Sequence, residues 1–468
     1  MDAETLCYLS LHEVAEKLRK REISSQELTK TQLTRIRQAN PQLRAYLTVL
    51  DDEAQRAASK ADAEIGAGRY RGPLHGVPIA VKDLCQTQGI LTTCASKVLC
   101  DWRPDFSATL VERLEAAGAV MLGKLHMTEF AVGWYHPEIP GPVNPWGANL
   151  WPGASSSGSG AATAAGLCFG SIGSDTGGSI RLPSAANGIV GLKPTWGRIS
   201  RYGVFPLGES LDHLGPMTRS VADAAHMLSV IAGYDPADAT SLHAPVEDYA
   251  AACQRGVGRL TIGLDEKYLS AASNEVGAAV IEAVRTLERL GAKVNKVTIP
   301  DIEGPMAAWI PLCTAETAAA HEAYYPARAA DYGPGFRSFL EYGSKVPGKD
   351  YAKAYIVREG FATQFQTLFE TIDILACASL PESALPAGVI PDDVNALLGP
   401  NPLLNFTAPY NLSRNPTLSL PCGKAGVGAP PSLQLVGRLL GEATLIQAGA
   451  AFERATQWHE QHPPIHLS

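Results

Sequence analysis

The stretch from Ser155 to Ser179 constrains the fold of this chain more than any other. It reads SSSGSGAATAAGLCFGSIGSDTGGS, and most of its side chains are Gly, Ala, Ser, Thr or Cys. Small side chains let a backbone approach a neighbouring element or a ligand, and glycine permits this best. Gly/Ser-rich tracts are usually flexible linkers. Here Leu167, Phe169, Ile172 and Asp175 interrupt the tract and no unit repeats, so the composition points to an ordered, close-packed segment. The pattern predicts a buried helix over 161–166, where small residues allow contact with a sheet, a strand over 169–173, and a turn over 175–179.

The rest of the chain supplies a sheet for that segment to pack against. Ser10 with Glu13 and Ser24 with Glu27 fit the reciprocal capping box, so helices should start near Leu11 and Ser25. An extended piece at 45–50, a helix over 52–65 and an apolar strand over 77–81 follow, then a helix after Ser107 and a strand over 119–122. Residues 260–300 read as strand, helix, strand, which implies parallel strands joined by a crossover. Residues 305–370 read as mostly helical, 373–377 as a strand and 388–408 as a loop. Strands at 417–420 and 433–436 and a helix over 441–459 complete the alternation. This order argues for one large α/β unit.

With 468 residues, 46% hydrophobic and 18% charged, the composition is that of an ordered protein. A net charge of −8 with both signs interspersed leaves no basic stripe for nucleic acid. No apolar run approaches membrane-span length, and MDAETLCYLSLHEVAEKL makes a poor signal peptide. Nine scattered cysteines, an odd number without CxxC spacing, read as reduced thiols in a cytoplasm, with no zinc or disulfide framework.

Several catalytic layouts are absent: G-x-S-x-G, S-x-x-K, HExxH and the P-loop. What remains is a serine cluster, the Gly177-Gly178 turn, and Lys82 at the end of a buried strand. That lysine could simply be a snorkelling surface residue. The alternative is chemical. A serine hydroxyl becomes nucleophilic when a base takes its proton, a desolvated lysine can be that base, and successive N–H groups in a Gly-Gly turn can hold an oxyanion.

These residues sit in motifs that resemble the amidase signature family: HGVPIAVKD (75–83), GASSSGSGAA (153–162), SDTGGSIRLPSA (174–185), GLKPTWGRIS (191–200) and SLDHLGPMTRSVAD (210–223). The resemblance is dense over 8–235 and returns near the C-terminus. It implies an α/β fold with a large mixed central sheet covered by helices on both faces, in a single domain over 1–468. The signature core would span about 60–235 and a variable, substrate-shaping region about 305–410.

It also implies a Ser-cisSer-Lys hydrolase that needs no cofactor and no metal. Ser179 matches the nucleophile, Ser155 the serine that follows a cis peptide bond, and Lys82 the base. The backbone N–H groups of Thr176, Gly177, Gly178 and Ser179 match the oxyanion hole. Phe130 occupies a position that lines the acyl pocket in some relatives, with an ordinary core aromatic as the alternative. Asp175, Arg181, Asp212, His75 and His213 are expected to be structural. Ala154 and Ser157 depart from the motif of many members but leave the three catalytic positions untouched.

The implied substrate is a small-molecule amide, cleaved by a monomer or homodimer without nucleic acid or membrane as partner. The FGxEVxRRIxLG-like stretch of tRNA-dependent glutaminase subunits is missing, which favours a stand-alone amidase on small or aryl amides. Carbamate or urea hydrolysis, the glutaminase role and a non-catalytic binding protein are the rival readings.

Overall fold

Both capping boxes form. Ser10 and Glu13 cap a helix over Leu11–Arg19, and Ser24 and Glu27 cap one over Ser25–Leu43. The computed structural model describes residues 2–391 and 401–465. Its centre is a sheet of eleven strands. In chain order these are β1 (Tyr46–Val49), β2 (Pro78–Lys82), β3 (Val120–Leu125), β4 (Gly170–Asp175), β5 (Val190–Lys193) and β6 (His213–Thr218), then β7 (Thr261–Leu264), β8 (Lys293–Lys296), β9 (Ile374–Ala378), β10 (Thr417–Pro421) and β11 (Ser432–Gly437). They lie in the order β1-β3-β2-β4-β6-β5-β10-β11-β9-β7-β8.

The sheet is mixed. β2 runs parallel to β3 and β4, and β7 parallel to β8 and β9. The strands between these two groups, β6, β5, β10 and β11, pair antiparallel. Every residue of β2, β3, β4, β5, β6, β9, β10 and β11 is buried. Side chains alternate between the two faces of a strand, so complete burial requires both faces to be covered. Helices provide the cover: Ser157–Ala164 packs on β4, Val221–Ile231 on β6, and Glu442–Thr456 on β10 and β11. The edge strands β1 and β8 are only partly buried.

The sequence expectations hold in kind and shift in extent. The helix expected over 161–166 runs over Ser157–Ala164, so it begins directly behind Ser155 and Ser156. The strand expected over 169–173 extends to Asp175, and the one over 119–122 extends to Leu125 through Lys124. β5 and β6 carry no strand signature. β6 contains His213, Gly215 and Pro216, and pairing with β4 on one side and β5 on the other overrides their poor strand propensity. Of the loop expected over 388–408, residues 392–400 lie outside the described residues, and Pro402–Leu404 forms a short 3-10 turn.

Parallel pairing of β2 with β4 places the site. Ala80 and Val81 stand opposite Ser171 and Ile172, so both strands end at the same edge of the sheet. Lys82 closes one strand, and Ser174 and Asp175 close the other.

The β5–β6 contact also depends on Gly215, because a methyl group there would run into the carbonyl oxygen of Leu192. Gly215→Ala should therefore lose about 1–3 kcal/mol of stability, read as a lower urea midpoint with an unchanged m-value.

Candidate active site

Lys82 is fully buried at the end of β2, and its Nζ lies among three serine hydroxyls. The distances are 2.6 Å to Ser155 Oγ, 2.9 Å to Ser156 Oγ and 2.9 Å to Ser174 Oγ. Among the described residues no carboxylate forms an ion pair with it. Burial penalises the ammonium and brings the amine down to about 7, against weaker opposing influence from Asp175 and Asp212.

The bonding pattern assigns roles to the hydroxyls. Ser156 Oγ donates to Ser174 O at 3.2 Å, so it must accept from Lys82. A neutral amine has two N–H donors and one lone pair. Lys82 can thus donate to Ser156 and Ser174 and still accept the proton of Ser155. The peptide bond between Ala154 and Ser155 is cis.

Ser179 follows β4 in the turn Asp175–Ser179. It is partly exposed and lines the same cavity as Ser155, Thr176 and Gly177. The turn is fixed from below by a buried ion pair. Asp175 accepts from Arg181 Nε at 3.0 Å, Arg181 Nη2 at 2.8 Å and the N–H of Ile180 at 3.0 Å. Arg181 also donates to Thr407 O at 2.8 Å, Gln434 Oε1 at 3.1 Å and Asn411 Oδ1 at 2.7 Å. Burial alone would raise the Asp175 carboxyl, but the Arg181 guanidinium holds it well below the usual carboxylate range. Asp212 accepts from Thr176 Oγ1 at 2.5 Å and from the N–H groups of Leu207 and Gly208. Burial pushes its carboxyl up to about 6.

A cavity opens in front of Ser179. Trp151, Leu182, Leu207, Trp309, Phe339, Ile390, Leu403 and Leu404 form most of its wall, and Asn401 brings a polar side chain. No charged residue lines it among the described residues.

Phe130 is buried in the core, the alternative weighed for it, and does not border this cavity. Its backbone and that of Ala131 are left-handed (φ 43° and 68°), and its ring packs at 4.4 Å from His321, 4.9 Å from Phe205 and 5.3 Å from Phe336. Ala131, Val132 and Gly133 supply that side of the wall instead.

His75 Nε2 lies 3.1 Å from a Glu64 carboxylate oxygen, and His213 Nδ1 bonds Leu211 O at 2.7 Å; neither lines the cavity. Ser156 and Ser174, which complete the shell around Lys82, were not singled out from the sequence. Their signal was present, since one adjoins Ser155 and the other opens the SDTGGS motif. Among the described residues no cluster of His, Cys, Asp and Glu is placed to hold a metal ion.

With this geometry in hand, comparison with known proteins places the chain. The Amidase family profile matches residues 27–446. The chain belongs to the amidase signature family of amide hydrolases. It is 43% identical to the Mycobacterium tuberculosis protein named "Putative amidase AmiD", over 99% of this chain and 98% of that protein. It is 40% identical to the A subunit of glutamyl-tRNA(Gln) amidotransferase from Moorella thermoacetica, over 98% and 99% of the two chains. Among solved structures, native peptide amidase from Stenotrophomonas maltophilia superposes with a TM-score of 0.84 at 30% identity, covering 98% of each chain.

The buried pair makes Arg181 a structural requirement of the site. Arg181→Met should leave Asp175 uncompensated and cost about 3–5 kcal/mol in chemical denaturation, far more than an exposed ion pair would.

Proposed function

We propose that this protein hydrolyses carboxylic amides through a serine acyl-enzyme, with Ser179 as nucleophile, Ser155 as relay and Lys82 as base. The observation that carries this reading is the buried Lys82 amine, 2.6 Å from a serine hydroxyl whose proton it can take. Ser179 attacks the amide carbonyl and passes its proton through Ser155 to neutral Lys82. The oxyanion sits among the N–H groups of residues 176–179. The same proton returns through Ser155 to the leaving nitrogen as the C–N bond breaks. Water then adds to the ester carbonyl, giving one proton to the relay, and Ser179 leaves with that proton returned.

The cavity wall supports a substrate class. An uncharged, apolar or aryl acyl group can replace water against Trp151, Leu182 and Leu403, whereas a charged group would find no partner among the described wall residues. We therefore favour small apolar or aryl amides, with carbamates and ureas carrying similar groups accepted by the same chemistry. In this reading the region about 305–410 shapes the pocket and the single chain is the working unit. The 40% identity to an amidotransferase component supports glutamine hydrolysis as the second reading.

Variants, a covalent probe, a pH profile and a substrate panel test this. Ser179→Ala should abolish turnover with an unchanged unfolding midpoint, and a fluorophosphonate should label the peptide containing Ser179 alone; residual near-wild-type rates refute the assignment. The base must be neutral to act, so kcat/KM should rise tenfold per pH unit below about 7 and level off above it. Lys82→Met should lower kcat by about 10²–10⁴-fold. In a panel of aliphatic amides, anilides, carbamates, ureas and glutamine, apolar amides should exceed glutamine in kcat/KM by at least about tenfold; the reverse order selects the glutaminase reading.

A further inference from the structure

The turn over 175–179 can present N–H groups to the cavity only if its carbonyls point the other way. Across a trans peptide, C=O and N–H point in opposite directions, so a bond that holds the carbonyl also aims the N–H of the next residue. Four such bonds hold the carbonyls of residues 175–178: Asn411 Nδ2 donates to Asp175 O at 2.9 Å, the N–H of Leu182 donates to Gly178 O at 2.7 Å, and the two central carbonyls are held by side chains from distant parts of the chain. Trp309 Nε1, on the helix Glu303–Ala320, donates to Thr176 O at 3.0 Å. Thr407 Oγ1, just before the helix Pro409–Leu412, donates to Gly177 O at 2.6 Å. They fix the 176–177 and 177–178 peptide planes from behind and set the N–H groups of Gly177 and Gly178 on the opposite side.

The fit leaves little freedom. A Cβ added to Gly177 would stand 3.0 Å from the Trp309 ring, and one added to Gly178 would stand 2.6 Å from Thr407 Oγ1. Gly178 also has a φ of 142°, where a side chain would be strained. Thr407 is completely buried and its own carbonyl is held by Arg181 Nη1, so the hydroxyl is anchored as well as aimed.

We propose that Trp309 and Thr407 are positioning residues that preorganise the oxyanion site by clamping its two central peptide planes from behind. Neither touches the oxyanion. They act by preventing the peptides from turning when negative charge develops on the substrate oxygen, a step in which donors that need no reorganisation contribute most. The indole ring of Trp309 also lines the cavity, so one residue both bounds the acyl pocket and holds the nest. This inference rests on the reading of Ser179 as the nucleophile and of residues 176–179 as the oxyanion site.

The test separates transition-state from ground-state effects in the full chain. Thr407→Val keeps the shape of the side chain and removes its donor, Thr407→Ser restores the donor, and Trp309→Phe removes the indole N–H. Each is assayed on phenylacetamide, then titrated with a benzyl trifluoromethyl ketone, which forms a tetrahedral adduct with a serine, and with the matching carbinol, which cannot. Thr407→Val should lower kcat roughly tenfold with KM within about twofold, and weaken the ketone by the same factor while the carbinol binds as before; Trp309→Phe, which also alters the pocket wall, should weaken the ketone roughly tenfold more than it weakens the carbinol. Thr407→Ser should recover most of the loss.

Wild-type kcat and ketone affinity in both Thr407→Val and Trp309→Phe would overturn the proposal, as would parallel losses of ketone and carbinol, which mean a deformed pocket. If Thr407→Val does not fold, Trp309→Phe carries the same comparison. Turnover retained in Ser179→Ala, with no ketone adduct in the unaltered protein, would instead remove the underlying reading and this proposal with it.

Discussion

A primary amine sealed inside a protein and bonded to hydroxyls is the constraint on which the rest of this structure depends. Hydration strongly favours the charged form of lysine, so placing Lys82 at the inner end of β2 favours the neutral amine near pH 7. The surroundings must then supply hydrogen bonds without restoring a charge partner. Three serines do so, and they come from two places: Ser155 and Ser156 ahead of the helix Ser157–Ala164, and Ser174 from β4. Parallel pairing of β2 and β4 brings these places to one edge of the sheet. The small-residue helix must pack tightly to reach it; a methyl group on Gly158 would stand 2.5 Å from the backbone at Ala45 and His126.

That dependence explains what the sequence revealed. The tract 155–179 advertised close packing by its composition, and its motifs led to Lys82, Ser155 and Ser179, which the fold does bring to one place. The helices with capping boxes and the apolar strands were legible because local chemistry and final environment agree there. β5 and β6 were not legible. Their Gly, Pro and His residues are poor strand formers, and only neighbours distant in sequence make them strands. Phe130 shows the same limit at a single residue. Its motif left a pocket wall and a core aromatic both open, and two consecutive left-handed residues turn its ring into an aromatic cluster with His321 and Phe336.

The aromatics of the variable region divide in a way that periodicity could not foresee. Phe336 and Tyr332 join that cluster and form core, whereas Phe339 and Trp309 reach the cavity. Helical spacing puts several side chains toward the interior, but which of them meet packed protein and which meet empty space depends on elements elsewhere in the chain.

Burial alone would not have picked out the proposed base, because three lysines among the described residues are fully buried in strands of the sheet. Lys124 lies 3.5 Å from Asp83 and donates to Cys85 O at 2.5 Å and Thr92 Oγ1 at 2.7 Å. Lys193 donates to the carbonyls of Asn415 at 2.5 Å and Pro194 at 3.3 Å. A carbonyl can only receive a proton in a hydrogen bond, so the partners of Lys193 use its N–H groups and offer nothing to its lone pair. Lys124 has a carboxylate, that of Asp83, as its neighbour and, among the described residues, has no serine hydroxyl as a partner. Lys82 combines both requirements: no carboxylate pairs with it among the described residues, and a serine hydroxyl at 2.6 Å has a proton to give. The chemistry follows from the kind of atom that surrounds each amine, and the small residues of the 155–179 tract are what allow hydroxyls to be the atoms around this one.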